Sequence, residues 1–150
     1  MEHGIDNIEK MIDILSSLPT IGKKTARRLT YFILKQDLDY AKNFSNTILE
    51  LVEKVHLCEV CFNFTEKKIC NICESTKRDR TKICVVEDPS DVSYIDNTNE
   101  FKGLYHVLHG VINPLNNINA DDLKIRELIN RLQEIEEHTS ELQSPYDLVC

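Results

Sequence analysis

The chain has 150 residues, 41% of them hydrophobic, with 18 Lys/Arg against 25 Asp/Glu and a net charge of −7. That is enough apolar content for an ordinary core in one domain or two small ones, and no apolar run approaches the roughly 20 residues of a membrane span. The first twenty residues alternate charge with hydrophobe, unlike a secretory signal, so the expected compartment is the cytoplasm. Charge is uneven along the chain: residues 1–82 carry 14 basic against 12 acidic side chains, and residues 83–150 carry 4 against 13. Any nucleic-acid contact is therefore expected in the first half and should be salt-sensitive, with a different partner for the acidic half.

In chain order, Ile5, Ile8, Met11, Ile12 and Leu15 recur at helical spacing until Ser16-Ser17-Leu18-Pro19 breaks the pattern. After Thr20-Ile21-Gly22 the helical period resumes, with Ala26, Leu29, Phe32 and Ile33 expected toward a core and Lys23, Lys24, Arg27 and Arg28 toward solvent. Two helices across a short Pro/Gly turn form a helix-turn-helix or helix-hairpin-helix unit. In the functional reading, amides of the hairpin near Gly22 and of the second helix's first turn face a phosphate, and Lys23 and Arg27 reach further along the backbone. Such contacts carry no base information; the alternative is a solvated basic face on a core helix. Asp37 or Asp39 is placed to cap a third helix whose Tyr40, Phe44, Ile48, Leu51 and Val55 share one face.

The stretch Cys58–Cys73 has the spacing C-x2-C-x8-C-x2-C. Each pair lets two thiolates leave one tight turn, and eight residues suffice for a hairpin that brings the turns around a tetrahedral ion, so Cys58, Cys61, Cys70 and Cys73 are expected to hold one zinc. Four protein ligands leave no open position for water or substrate, which makes the expected zinc structural. A redox C-x-x-C or packed reduced thiols are the alternatives. Lys67, Lys68, Lys77, Arg78 and Arg80 are placed to offset the charge of a tetrathiolate centre.

Lys82-Ile83-Cys84-Val85-Val86 is a β-branched run ending in Glu87-Asp88-Pro89, a strand followed by a helix start, with Cys84 expected as a buried small hydrophobe. Leu104-Tyr105-His106-Val107-Leu108 reads as a second strand, and Ile125, Leu128, Leu132 and Ile135 as a helix face with Asp121 and Asp122 in its first turn. The alternation implies parallel strands. Glu87, Asp88 and Asp91 gather where the first strand ends, the edge at which open α/β sheets place their sites, and are expected to dock a basic partner; the alternative is that they merely start the helix.

Taken together, LPTIGKKTARRLTYFIL, the four-cysteine knuckle, ICVVEDPSDV and FKGLYHVLHGVINPL, in that order, resemble the RecR family of bacterial recombination mediators over roughly residues 5–134. The resemblance implies an α+β chain: a helical region with a helix-hairpin-helix (1–57), a four-cysteine zinc finger (58–81), an incomplete α/β Toprim domain with parallel strands (82–137) and an atypical tail (138–150). It further implies non-specific binding of single- and double-stranded DNA, with Lys23 and Arg27 at the family's basic positions, ring assembly, and work with RecO and RecF in loading recombinase at gaps, without catalysis by the protein itself. Thr20 and His109 stand where the family has glycine, and the tail HTSELQSPYDLVC matches neither the family nor a buried strand, so a shortened or frame-altered form with Cys150 as an incidental thiol is expected. Two rivals are a Toprim-type metal-dependent DNA-cleaving enzyme with Glu87 as its acid, and a small zinc-ribbon DNA-binding regulator.

Overall fold

The computed structural model describes the backbone of residues 6–139 and 147–148 and the side chains of residues 6–134. The chain divides into two compact units, Met1–Glu53 and Lys54–Cys150.

In the first unit, α1 (Asp6–Ser16) and α2 (Lys23–Leu34) pack as a hairpin around Ile12, Leu15 and Ala26, with Ile8, Met11, Ile21 and Ile33 against them. The turn between them demands a left-handed residue, and Thr20 supplies it at φ 68°, an uncommon conformation for a β-branched side chain. Glycine would adopt this φ without strain, which is the physical reason a family sequence would favour it there. The inward row of α2 differs from the expected one. Leu29 and Phe32 are exposed, and Thr30 is buried in their stead, its hydroxyl satisfied by the carbonyl of Ala26 at 3.0 Å. α3 (Leu38–Lys54) starts at Asp37, whose carboxylate accepts from the Tyr40 amide at 2.8 Å, so Asp37 and not Asp39 is the cap. No residue of α3 is buried; the face of Tyr40, Phe44, Ile48 and Leu51 is exposed.

The second unit begins with β1 (His56–Leu57), antiparallel to β2 (Phe64–Thr65), followed by the single turn α4 (Asn71–Glu74). β3 (Asp79–Val86), α5 (Pro89–Asn97), β4 (Gly103–Val107) and α6 (Ile125–Thr139) are the expected strand-helix-strand-helix series. β3 and β4 are parallel, with Cys84 beside Tyr105 and Val86 beside Val107. One sheet face buries Cys84, Val86, Tyr105 and Val107 against Val92 of α5. On the other, Leu104 and His106 are buried, His106 donating from Nε2 to the Lys124 carbonyl (2.8 Å) while Arg131 of α6 donates to the Tyr105 carbonyl (2.7 Å).

Two expectations need correction. The sheet has a third strand, β5 (Asp147–Leu148), parallel to β3 at Lys82 and Ile83, within the stretch expected to hold none. The rest of the tail after Thr139, Cys150 included, lies outside the described residues. Asp121 and Asp122 belong to a separate 3-10 turn (Ala120–Asp122), where the Asp122 carboxylate accepts from the amide of the N-cap Asn119 and Asp121 pairs with Arg126 at 2.8 Å; α6 starts only at Ile125.

Candidate metal centre and nucleic-acid interface

The knuckle is formed by two turns of the same design. The Phe62 amide closes the first on the Cys58 carbonyl (3.0 Å), with Phe62 itself left-handed at φ 62°, and the Glu74 amide closes the second on the Cys70 carbonyl (3.0 Å). Backbone amides point at sulphur: Cys70 N–H to Cys58 Sγ at 3.3 Å and Cys73 N–H to Cys70 Sγ at 3.5 Å. All four cysteines are buried and their Sγ atoms lie within 4.8 Å of one another. Tetrahedral zinc with Zn–S of about 2.3 Å places sulphurs about 3.8 Å apart, so the donor set fits one structural zinc with no position left open.

The electrostatics of the four sulphurs suit a cation. The contact between Cys61 and Cys70 sulphurs at 3.5 Å holds Cys70 far below the usual thiol range, at about 2, and pushes Cys61 up to about 12; Cys73 is pushed up by its hydrogen bonds to the same two sulphurs. A divalent ion among these sulphurs is what lets them ionise together. The neighbouring basic residues do not perform this task as expected. Lys67 pairs with Glu74 (3.2 Å), Lys68 with Glu59 (3.4 Å) and Arg78 with Asp96 (2.6 Å), while Arg80 donates to the Cys73 carbonyl at 3.1 Å.

The knuckle is also fastened to the carboxyl end of β4. Val107 N–H donates to the Cys61 carbonyl at 2.8 Å, and the Phe62 ring meets His106 edge-on at 5.4 Å, with Lys124 Nζ 5.1 Å from its centroid. His109 is left-handed at φ 61° and its Nε2 bonds the Phe62 carbonyl at 2.7 Å, with its ring 6.0 Å from that of Phe64. Sequence reasoning missed this clamp; its one signal was a bulky residue at a glycine position.

The acidic edge separates into two parts. Asp88 is the N-cap of α5: its carboxylate accepts from the Ser90 amide (2.8 Å) and hydroxyl (2.7 Å), which holds it below the usual carboxylate range, and Asp91 completes a capping box by accepting from the Asp88 amide at 3.2 Å. These two therefore act as helix-starting acids. Glu87 is exposed, makes no ion pair among the described residues, and lines with Asp91 and Tyr94 a mainly apolar groove of about 490 Å³ beside Cys84 and Val86.

On α2, Lys23, Lys24, Arg27 and Arg28 are all exposed, as expected. Gly22 is the N-cap and offers no side-chain bond to the first-turn amides; its φ of −81° and the open space at its α-carbon make no demand for glycine.

Comparison with known proteins matches three successive segments of the chain. A model of the RecR helix-hairpin-helix matches residues 8–52, one of the RecR four-cysteine zinc finger domain residues 55–75, and one of a Toprim domain residues 81–138. Curated proteins called Recombination protein RecR are similar: that of Chloroherpeton thalassium is 50% identical over 135 residues (89% of this chain, 66% of the relative). That of Bdellovibrio bacteriovorus is 46% identical over 130 residues (87% and 64%), and that of Chlorobium luteolum 46% over 134 (88% and 66%). The chain spans 64–66% of the length of these relatives. The expected helix-hairpin-helix, four-cysteine finger and Toprim segment are borne out, as is the zinc.

Proposed function

The chain belongs to the RecR family, and from that premise we propose that it is a mediator of recombinational DNA repair that binds DNA without reading its sequence. The observation that carries this reading is the exposed row Lys23, Lys24, Arg27 and Arg28 directly behind an uncapped helix start. Unpaired amides and the positive end of α2 are a ready phosphate site, and the cations extend it along the backbone. The test is fluorescence anisotropy on zinc-loaded protein with labelled single-stranded and duplex oligonucleotides of unrelated sequence. Affinity should be the same across sequences of one strandedness and fall steeply with salt, with the log-log slope reduced by roughly one for each phosphate contact removed. Lys23→Glu with Arg27→Glu should abolish binding; wild-type affinity of that double variant at low salt would end this assignment.

The acidic edge is the proposed docking surface for RecO- and RecF-type partners, with Glu87 as the leading residue because Asp88 and Asp91 are engaged in the cap. Assembly into a ring, testable by light scattering, and residence in the cytoplasm belong to the same reading. It assigns no catalysis: metal-dependent phosphoryl transfer requires several carboxylates free to hold a cation. Magnesium-dependent nicking of plasmid DNA that disappears in Glu87→Gln would reverse this.

A further inference from the structure

The solvent face of α2 carries more than charge. Lys24, Arg27, Arg28, Tyr31, Phe32 and Lys35 recur at i, i+3, i+4, i+7, i+8 and i+11, one stripe of an α-helix, and together they line a groove of about 500 Å³. Tyr31 is 49% and Phe32 52% exposed. The helix contains no acidic residue, and none of the four cations makes an ion pair among the described residues. Phe32 meets Tyr40 edge-on at 6.3 Å, and Tyr40 stacks on Phe44 at 6.3 Å with their planes 5° apart. One ring of the stripe is therefore braced from the side of α3, and the other has no ring partner among the described residues.

Phosphate contacts alone explain the cations but leave the rings idle, because a duplex turns its phosphates outward and keeps its base faces stacked inside. A single strand presents both, a polyanionic backbone for the cations and unstacked bases for the rings. Lys24 to Lys35 covers about 16 Å at 1.5 Å per residue, room for a few nucleotides. We propose that this stripe is a single-stranded DNA subsite in which bases stack on Tyr31 and Phe32 while Lys24, Arg27, Arg28 and Lys35 hold the phosphates, giving the protein a preference for single strands over duplex. The proposal rests on the assignment of the helical hairpin to DNA binding and adds the strand type.

Stacking on an aromatic ring is worth about 5- to 150-fold in affinity per base and is indifferent to which base is bound. Tyr31→Ala should weaken binding of a labelled oligo(dT) about tenfold with an unchanged salt slope, since no phosphate contact is removed, and alter duplex binding less than twofold. Lys24→Ala with Arg28→Ala should weaken both ligands and flatten the slope. The chain has no tryptophan, so tyrosine emission is directly observable: oligo(dT) should quench it in the wild type, and Tyr31→Phe should lose most of the quenching while keeping the affinity. Circular dichroism of Tyr31→Ala should match the wild type, because the ring is half exposed. Duplex and single strand lost equally in Tyr31→Ala, or neither lost, overturns the subsite and leaves the hairpin assignment standing. A wild type that binds neither ligand at low salt overturns both. A change in oligomeric state in Tyr31→Ala without loss of strand affinity would show that a second copy of the chain covers the rings, and overturns the subsite as well.

Discussion

Removing zinc should loosen the end of β4 about 100-fold while sparing the α1–α2 hairpin. Structural zinc in isolated fingers contributes an apparent ~10–16 kcal/mol, as much as the ~5–15 kcal/mol that stabilises a whole domain, so the Cys58–Cys73 turns have no fold of their own without it. Three contacts transmit the loss: Val107 N–H to the Cys61 carbonyl at 2.8 Å, His109 to the Phe62 carbonyl at 2.7 Å, and the Phe62–His106 ring pair at 5.4 Å. Each hydrogen bond is worth a net of about 1 kcal/mol and the ring pair about 0.5–1.5 kcal/mol. Together that is about 3 kcal/mol, on the order of 100-fold in the local opening equilibrium. Hydrogen–deuterium exchange read by mass spectrometry, on zinc-loaded protein, chelated protein and Cys61→Ser, measures it directly. Peptides over residues 104–110 should exchange with the knuckle, and those over residues 8–34 should not change, since the hairpin has its own core of Ile12, Leu15 and Ala26. If 104–110 kept their zinc-loaded protection after the knuckle had opened, the three contacts would not be what holds that end.

Burial holds His106 neutral, with its pKa below the ordinary value, among Lys124, Glu127, Arg131 and His109. The unfolded chain regains a pKa near 6.5 and binds the proton first, so stability should be level above about pH 6.5 and decline as pH falls below it. Urea melts in excess zinc should show a shallower decline in His106→Gln, and equal slopes in the two proteins would refute the assignment. Asp88→Ala should lower the melting temperature and reduce partner affinity only in proportion, whereas Glu87→Lys should spare stability and slow association with a basic partner; stopped-flow and thermal melts separate these outcomes. Gly103→Ala should destabilise the sheet by about 1–3 kcal/mol, because its new methyl would lie 2.7 Å from the Lys82 carbonyl and against the Phe101 ring; an unchanged denaturant midpoint would show that β3 and β4 separate at no cost.

What could be read from the sequence was what short range determines. Ligand spacing dictates the knuckle, a β-branched run dictates β3, and Asp88 before Pro89 dictates a helix start. The failures share a cause in distance or in local degeneracy. Thr30 took a core position from Phe32 because its hydroxyl could hide against the Ala26 carbonyl, an option that hydrophobic periodicity does not weigh. Acids before a helix look alike whether they occupy its first turn or a separate 3-10 turn, so Asp121 and Asp122 were misplaced by one element. β5 offers only two residues, and its pairing depends on what β3 leaves open at Lys82 and Ile83.

The 47-residue separation of Phe62 and His109 sets a folding order. The four cysteines close loops within sixteen residues of chain, whereas joining the knuckle to β4 closes one about three times longer, at an added entropic cost of about 1 kcal/mol. The knuckle is also made first during synthesis. A metal-loaded knuckle therefore stands ready as a template when β4 emerges, and the late, long-range step becomes docking onto a rigid surface. In zinc-starved cells that surface is missing at the moment it is needed, and newly made chains wait with the apolar strands β3 and β4 exposed. Metal supply during translation would then govern the yield of folded protein, beyond its effect on the stability of chains already folded.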